Sequence, residues 1–421
     1  MPTRGVNDYS RRLSSVSAIA ASPERAYLEY ERAVKGAATA QDDRAWSELA
    51  RRPPQADVLL GYLSPRITRL AAFFAALPLG GDRGKRVRNW AVYALGEAAV
   101  IGFRATGDLR FLDPLAATLD GAVVARDHQL GIRDELRGRV VRSWGSILPE
   151  SGLHTCEVTP AGTITHAMAL FCEATVAHPE AAAVHGERAE RYLAAMPEIF
   201  AEFDEDVHEL EDDPGAAYYR SPFDGIVEPV NHVAPFAAAN LRFHCLTGDA
   251  EALNRASMCT GFFRRALRRE PNGAYAWAYR PTPEDLTPVP GEQIIKAATT
   301  LCLPFTAINK GFFFDAADRA AFVATLLESA HRGDGEFDLK IDQAPSRPLV
   351  HDSIAAKHRR SRMPSLAEWT KLGHWDPRVW KVIEDTVAVR RDLFAPLSWF
   401  GSPRSAVGYA HRLLRDSSGS L

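Results

Sequence analysis

The stretch PVNHVAPFAAANLRFHCLTGDAEALNRASMCTGFFRRALRR, residues 229–269, decides the fold. Val230, Val233, Ala234, Ala237, Leu241 and Cys245 recur at steps of three and four, the spacing that gathers apolar side chains on one face of a helix. Thr247-Gly248-Asp249 then supplies a stop and a start. Glycine tolerates the left-handed conformation that ends a helix, and aspartate accepts from the first amides of the next, with Glu251 in its first turn. Pro229–Thr247 and Ala250–Arg269 therefore read as two helices of one α-hairpin.

The same pattern extends along the chain. Ile164, Ala167, Met168, Phe171, Cys172 and Thr175 form one stripe, and Ile294, Ile295, Ala298, Leu301, Cys302, Phe305 and Ile308 another. Asp315 caps Ala316–His331, and Asp376-Pro377 reads as a cap followed by a proline at the first helical position. Further helices are predicted at Pro23–Lys35, Asp57–Leu77, Lys85–Gly107, Leu109–Asp127, Ile164–Ala177, Pro179–Phe203, Gln293–Lys310, Ser365–Leu372, Pro377–Val389 and Ser405–Leu414. Strand alternation is scarce, and no fixed repeat period is present. Hairpins of uneven spacing predict an all-α chain, an α/α toroid over residues 23–421 after a loosely packed segment 1–22.

Composition bounds the function. The 50 basic and 53 acidic residues leave a net charge of −3, which argues against a partner recognised through a nucleic-acid backbone. No apolar run reaches the ~20 residues needed to span a bilayer. The most apolar, Trp90–Phe103, carries Glu97. Met1–Ser22 has no apolar core of a secretory signal, and the five cysteines lack a C-x-x-C pair. Both point to a cytoplasmic protein with buried thiols, no membrane partner and no metal site. Phosphate-loop, dinucleotide and zinc-protease motifs are absent. Gly80-Gly81-Asp82-Arg83-Gly84-Lys85 follows a helix rather than a strand and is discounted. The run Lys357-His358-Arg359-Arg360-Ser361-Arg362 reads as a solvated loop.

Three groups of residues carry candidate chemistry. Asn231-His232 opens a helix, whose unpaired amides and positive dipole end favour a bound carboxylate. Tyr275-Ala276-Trp277-Ala278-Tyr279 alternates in period two, which in an extended segment places three rings on one face for stacking on sugar. Arg280 adds a cation. His154 and His166 flank Gly162, with Arg142, Trp144 and Gly145 before them, and Tyr218, Tyr219 and Arg220 form a second aromatic and cationic cluster.

The blocks Asn231-His232, Thr247-Gly248-Asp249 and Tyr275–Tyr279, with Trp144-Gly145 and Gly162-Thr163-Ile164, resemble the α/α-toroid polysaccharide lyases that cleave alginate or glucuronan. The resemblance covers about Arg142 to Gly311. It implies β-elimination on an anionic, uronate-containing oligosaccharide without a cofactor. Tyr279 would be the base and acid, with Tyr275 its rival. His232 and Asn231 would hold the carboxylate, assisted by Arg280 or Lys296, and Trp277, His154, Trp144 and Tyr219 would bind substrate. Two positions depart from the family: Ala161 stands where an amide or histidine precedes the helix glycine, and Lys296 stands in place of a histidine. The residues alone leave three alternatives open: a glycoside hydrolase using two of Glu157, Asp224, Glu228 and Glu292, a small-molecule tailoring enzyme, or a non-catalytic carbohydrate-binding relative.

Overall fold

The computed structural model describes residues 54–76, 88–148, 151–342, 363–389 and 403–417. Residues 1–22, the helix expected at Pro23–Lys35, the Gly80–Lys85 loop and the basic run Lys357–Arg362 lie outside them.

The described chain is all-α in character. Its main helices are α1 (Ala56–Ala76), α2 (Asn89–Thr106), α3 (Leu112–Val124), α4 (Val158–Ala177), α5 (Pro179–Ala201), α6 (Val230–Thr247), α7 (Ala250–Ala266), α8 (Ile294–Thr300), α9 (Cys302–Asn309), α10 (Ala316–Ala324), α11 (Met363–His374, wound as a 3₁₀ helix), α12 (Pro377–Val389) and α13 (Pro403–Asp416), with a single α-turn at Asp127–Leu130. Packing closes a ring: α2 lies against α4, α4 against α6, α6 against α8 and α9, α8 against α11, α11 against α13, and α13 against α2. Outside it, α1 packs on α3, α5 on α4, α7 on α6 and α12 on α11. This is an α/α toroid, with one main apolar core running from Leu59 to Leu414.

Local chemistry explains the helix ends. Gly248 takes φ 77° and its amide donates to the His244 carbonyl at 2.7 Å, while the Asp249 carboxylate accepts from the Ala252 amide at 2.8 Å. Asp315 forms a reciprocal capping box with Asp318. The helix expected over Gln293–Lys310 is instead broken at Leu301. Pro304 has no amide to give the Thr300 carbonyl, so the ladder lapses there. The helix expected from Ala316 to His331 passes into a π turn at Thr325–Ala330. Asp108 caps a short 3₁₀ turn before α3, which splits the helix expected from Leu109.

Two-stranded antiparallel hairpins join several helices, among them Gly145–Ile147 with His154–Cys156, and Val207–Leu210 with Asp213–Tyr219. α4 begins at Val158, so Gly162 lies one turn inside the helix rather than at its start. There a Cβ would meet the Phe236 backbone nitrogen at 2.6 Å, so the missing side chain sets the close approach of α4 to α6. All five cysteines are free thiols. Four are buried as expected, but Cys245 is exposed near the end of α6. Among the described residues, no helix is long and apolar enough to cross a membrane.

Candidate functional site

The inner helices run parallel, as their ends show. Trp90, His232, Lys296 and Arg404 stand in the first turns of α2, α6, α8 and α13 and meet around one mouth. The first turn of α6 is opened by Pro235, which has no amide for the Asn231 carbonyl. The Val230 amide, unpaired within the helix, donates to the Tyr279 carbonyl at 3.1 Å. The Glu292 amide likewise donates to the Trp277 carbonyl at 2.6 Å. These two bonds tie the aromatic segment across the starts of α6 and α8.

The tie brings Tyr279 to His232. Their rings stand at 90° with centroids 6.4 Å apart. The Lys296 Nζ lies 3.5 Å from the Tyr279 ring centroid, and the exposed Arg280 flanks the same ring at 5.9 Å. On its other side His232 meets Trp90 at 6.0 Å, and the Arg404 guanidinium stands 5.4 Å from the Trp90 ring. His232 Nδ1 donates to Glu228 Oε2 at 3.1 Å, so Nε2 is the ring nitrogen left for a ligand. Asn231 is buried beside His232 in the chain, and its Oδ1 has no hydrogen-bond partner among the described residues.

The structure corrects several other expectations. The rings of Tyr275–Tyr279 do not form one stacking strip: Tyr275 and Trp277 both pack on Phe322, while Tyr279 meets His232 and Lys296. Trp277 is 1% exposed and packs between Phe263 and Phe322, with its indole donating to Glu292 at 2.6 Å, so it offers no stacking surface. The Tyr275 hydroxyl donates to Asp318 at 2.6 Å beside α10, and burial with that carboxylate raises its pKa, which suits a structural phenol rather than a proton carrier. Trp144 is buried and donates to the Ala122 carbonyl. Tyr219 is buried against Phe236. His154 is buried with Nε2 donating to Asp127 at 2.7 Å. Trp144 and His154 are thus satisfied by core partners, and Tyr219 packs in the core with its hydroxyl left without a hydrogen-bond partner among the described residues.

Glu292, one of the four carboxylates offered for hydrolysis, is fully buried. It accepts from Trp277 and Thr300, and burial pushes its pKa up to about 8. His166 is also far from a mouth role. It lies against Tyr93 deeper along the axis, and burial pushes its pKa down to about 3.

At the opposite end, the last turns of the inner helices surround a cavity of about 710 Å³. Its charged lining, Glu97, Arg104, Glu173, Arg242, Lys310 and Lys371, was not anticipated as a site. A signal was present, since Trp90, Tyr93, Glu97, Ile101 and Arg104 fall on one face of α2 at steps of three and four.

No protein-family model matches the sequence, and no curated protein matches it. Among solved structures, the chain is similar to an inactive variant of the α-1,6-mannanase GH76A of Salegentibacter sp. HEL1_6 in complex with α-1,6-mannotriose. That likeness has a TM-score of 0.48 and 10% identity, and covers 83% of this chain and 99% of the other. It is also similar to the unsaturated glucuronyl hydrolase of Bacillus sp. GL1, which takes part in glycosaminoglycan degradation. There the TM-score is 0.43 and the identity 12%, covering 80% and 89% of the two chains. At such identities neither likeness assigns a role to any residue.

Proposed function

We propose that the chain is a carbohydrate-active enzyme that cleaves a uronate-containing oligosaccharide by β-elimination at the mouth formed by the starts of α2, α6, α8 and α13. The observation that carries this reading is the His232–Tyr279 pair with Lys296 against the phenol ring.

β-Elimination removes the proton α to the uronate carboxylate and expels the 4-O-linked group. It needs a base, an acid, and positive groups where enolate charge develops. Glu228 orients the imidazole through Nδ1 and leaves Nε2 for the substrate; in the neutral ring that nitrogen is the one that accepts a proton. Tyr279 supplies a phenol within one sugar ring of that nitrogen and serves as acid to the leaving oxygen, or exchanges roles with His232. Lys296 stabilises negative charge arising on the phenol oxygen and, with Arg404 and Arg280, draws the carboxylate into the mouth. Trp90 offers a half-buried ring in place of Trp277 for contact with sugar.

The competing reading is glycoside hydrolysis, which requires two carboxyl groups ~5–10 Å apart across the cleft. Glu228 touches the mouth, but Glu292 is enclosed by Trp277 and Thr300, so that pair is not presented. Incubation with a panel of polyuronates separates the readings. Elimination creates an unsaturated uronate with new ultraviolet absorbance, whereas hydrolysis creates reducing ends without it.

A further inference from the structure

The cavity at the far end of the toroid takes no part in that reading. At about 710 Å³ it falls among pockets of ~300–1,000 Å³ that hold small molecules. Tyr93 separates it from the mouth. This buried ring lies 6.4 Å from Trp90 on one side and 5.3 Å from His166 on the other.

The charges around the cavity do not balance. Lys371 pairs with Glu97 at 2.8 Å. Glu173 alone serves three cations: Lys310 at 2.9 Å, Arg104 at 3.3 Å, and Arg242 on the same oxygen as Arg104. His166 and His411 are held neutral by burial, so they add no charge near neutral pH. The wall therefore carries two more positive than negative charges. The inner-helix C-termini meet part of this excess through their carbonyl dipoles. They leave Arg242 Nε and His166 Nδ1 buried without a hydrogen-bond partner among the described residues. Ile101, Leu170 and Phe305 supply apolar wall beside them.

We propose that this cavity is a second ligand site, taking a small organic anion whose carboxylate or phosphate group is held by Arg104, Arg242 and Lys310. Its carbon skeleton lies against Ile101, Leu170 and Phe305. The site is independent of the elimination reading, and either can fail alone.

The test is titration calorimetry on the full chain carrying His232→Ala, compared with and without Lys310→Met, which separates this cavity from the mouth and its remaining cations. The probes are glucuronate, glucose 6-phosphate, inorganic phosphate and, as the neutral control, glucose. The expected result is saturable binding of at least one anion and none of glucose. The carboxylate and phosphate arms identify which group is preferred. Adding Lys310→Met weakens that binding by about tenfold or more. Lys310 is one-third exposed, and Glu173 keeps both arginines without it, so the fold survives this change. Absence of saturable binding by every anion, or equal affinity with and without Lys310→Met, overturns the proposal.

Discussion

The imidazole of His232 and the phenol of Tyr279 meet edge to face at 6.4 Å because the Val230 amide, one residue before Asn231, bonds the Tyr279 carbonyl. A helix start and a loop distant in sequence are thereby locked as a pair, and the chemistry assigned to them stands on that lock.

Tyr279→Phe keeps the ring under Lys296 and removes one hydroxyl. The expected outcome is a fall in kcat of about 10²-fold or more with KM little changed, because general acid–base catalysis typically contributes ~10²–10⁴-fold. Wild-type kcat at saturating substrate rejects Tyr279 as a proton carrier.

Lys371→Met strips Glu97 of its ammonium partner in a fully buried site, leaving His411 Nε2 at 3.7 Å as the nearest cation-forming group. Loss of one member of a buried pair costs about 3–5 kcal/mol. The double variant Glu97→Gln with Lys371→Met recovers part of this. Denaturant unfolding of the three proteins checks both statements, and equal midpoints for wild type and Lys371→Met contradict them.

Gly162→Ala places a methyl 2.6 Å from the Phe236 amide nitrogen, where backbone rather than a flexible side chain must give way. Overpacking of this kind costs about 1–3 kcal/mol. A lowered unfolding midpoint is expected, and an unchanged one shows that α4 and α6 separate freely.

Glu292 gives a pH signature. Burial raises its pKa from 4.5 to about 8 in the folded chain, so the folded state holds a proton that the unfolded state has released over that interval. Its contribution therefore falls as pH rises from about 4.5 to about 8. In Glu292→Gln the amide oxygen still accepts from Trp277 and Thr300, and this slope disappears. Unfolding measured across that range is expected to show the variant gaining on wild type toward pH 8; parallel curves contradict the assignment.

The fold was legible where local chemistry decides it. Gly248-Asp249 and Asp315 sit where spacing and capping place them, and the helical stripes face the core except at exposed Cys245. The break at Leu301 was missed although Pro304 announces it, because the apolar period continues through it. The mouth was legible only in part. Asn231-His232, Tyr279 and Lys296 carry a recognisable pattern, but Trp90 and Arg404 reach it from other helix starts, which only closure of the ring brings near. Period-two spacing puts Tyr275 and Trp277 against the same ring, Phe322, but nothing in it tells that this side faces the core rather than a cleft. Glu97, His166 and Glu173 were visible as ionisable residues on apolar stripes, a pattern that marks helices facing a polar axis as well as a core.

The most direct test is the appearance of an unsaturated uronate, followed by ultraviolet absorbance, when the wild-type chain is incubated with polyuronates of differing sugar and linkage. Absorbance is expected to rise on at least one of them and to be lost in both His232→Ala and Tyr279→Phe. Reducing ends released without new absorbance, or absorbance that persists in both variants, contradicts it.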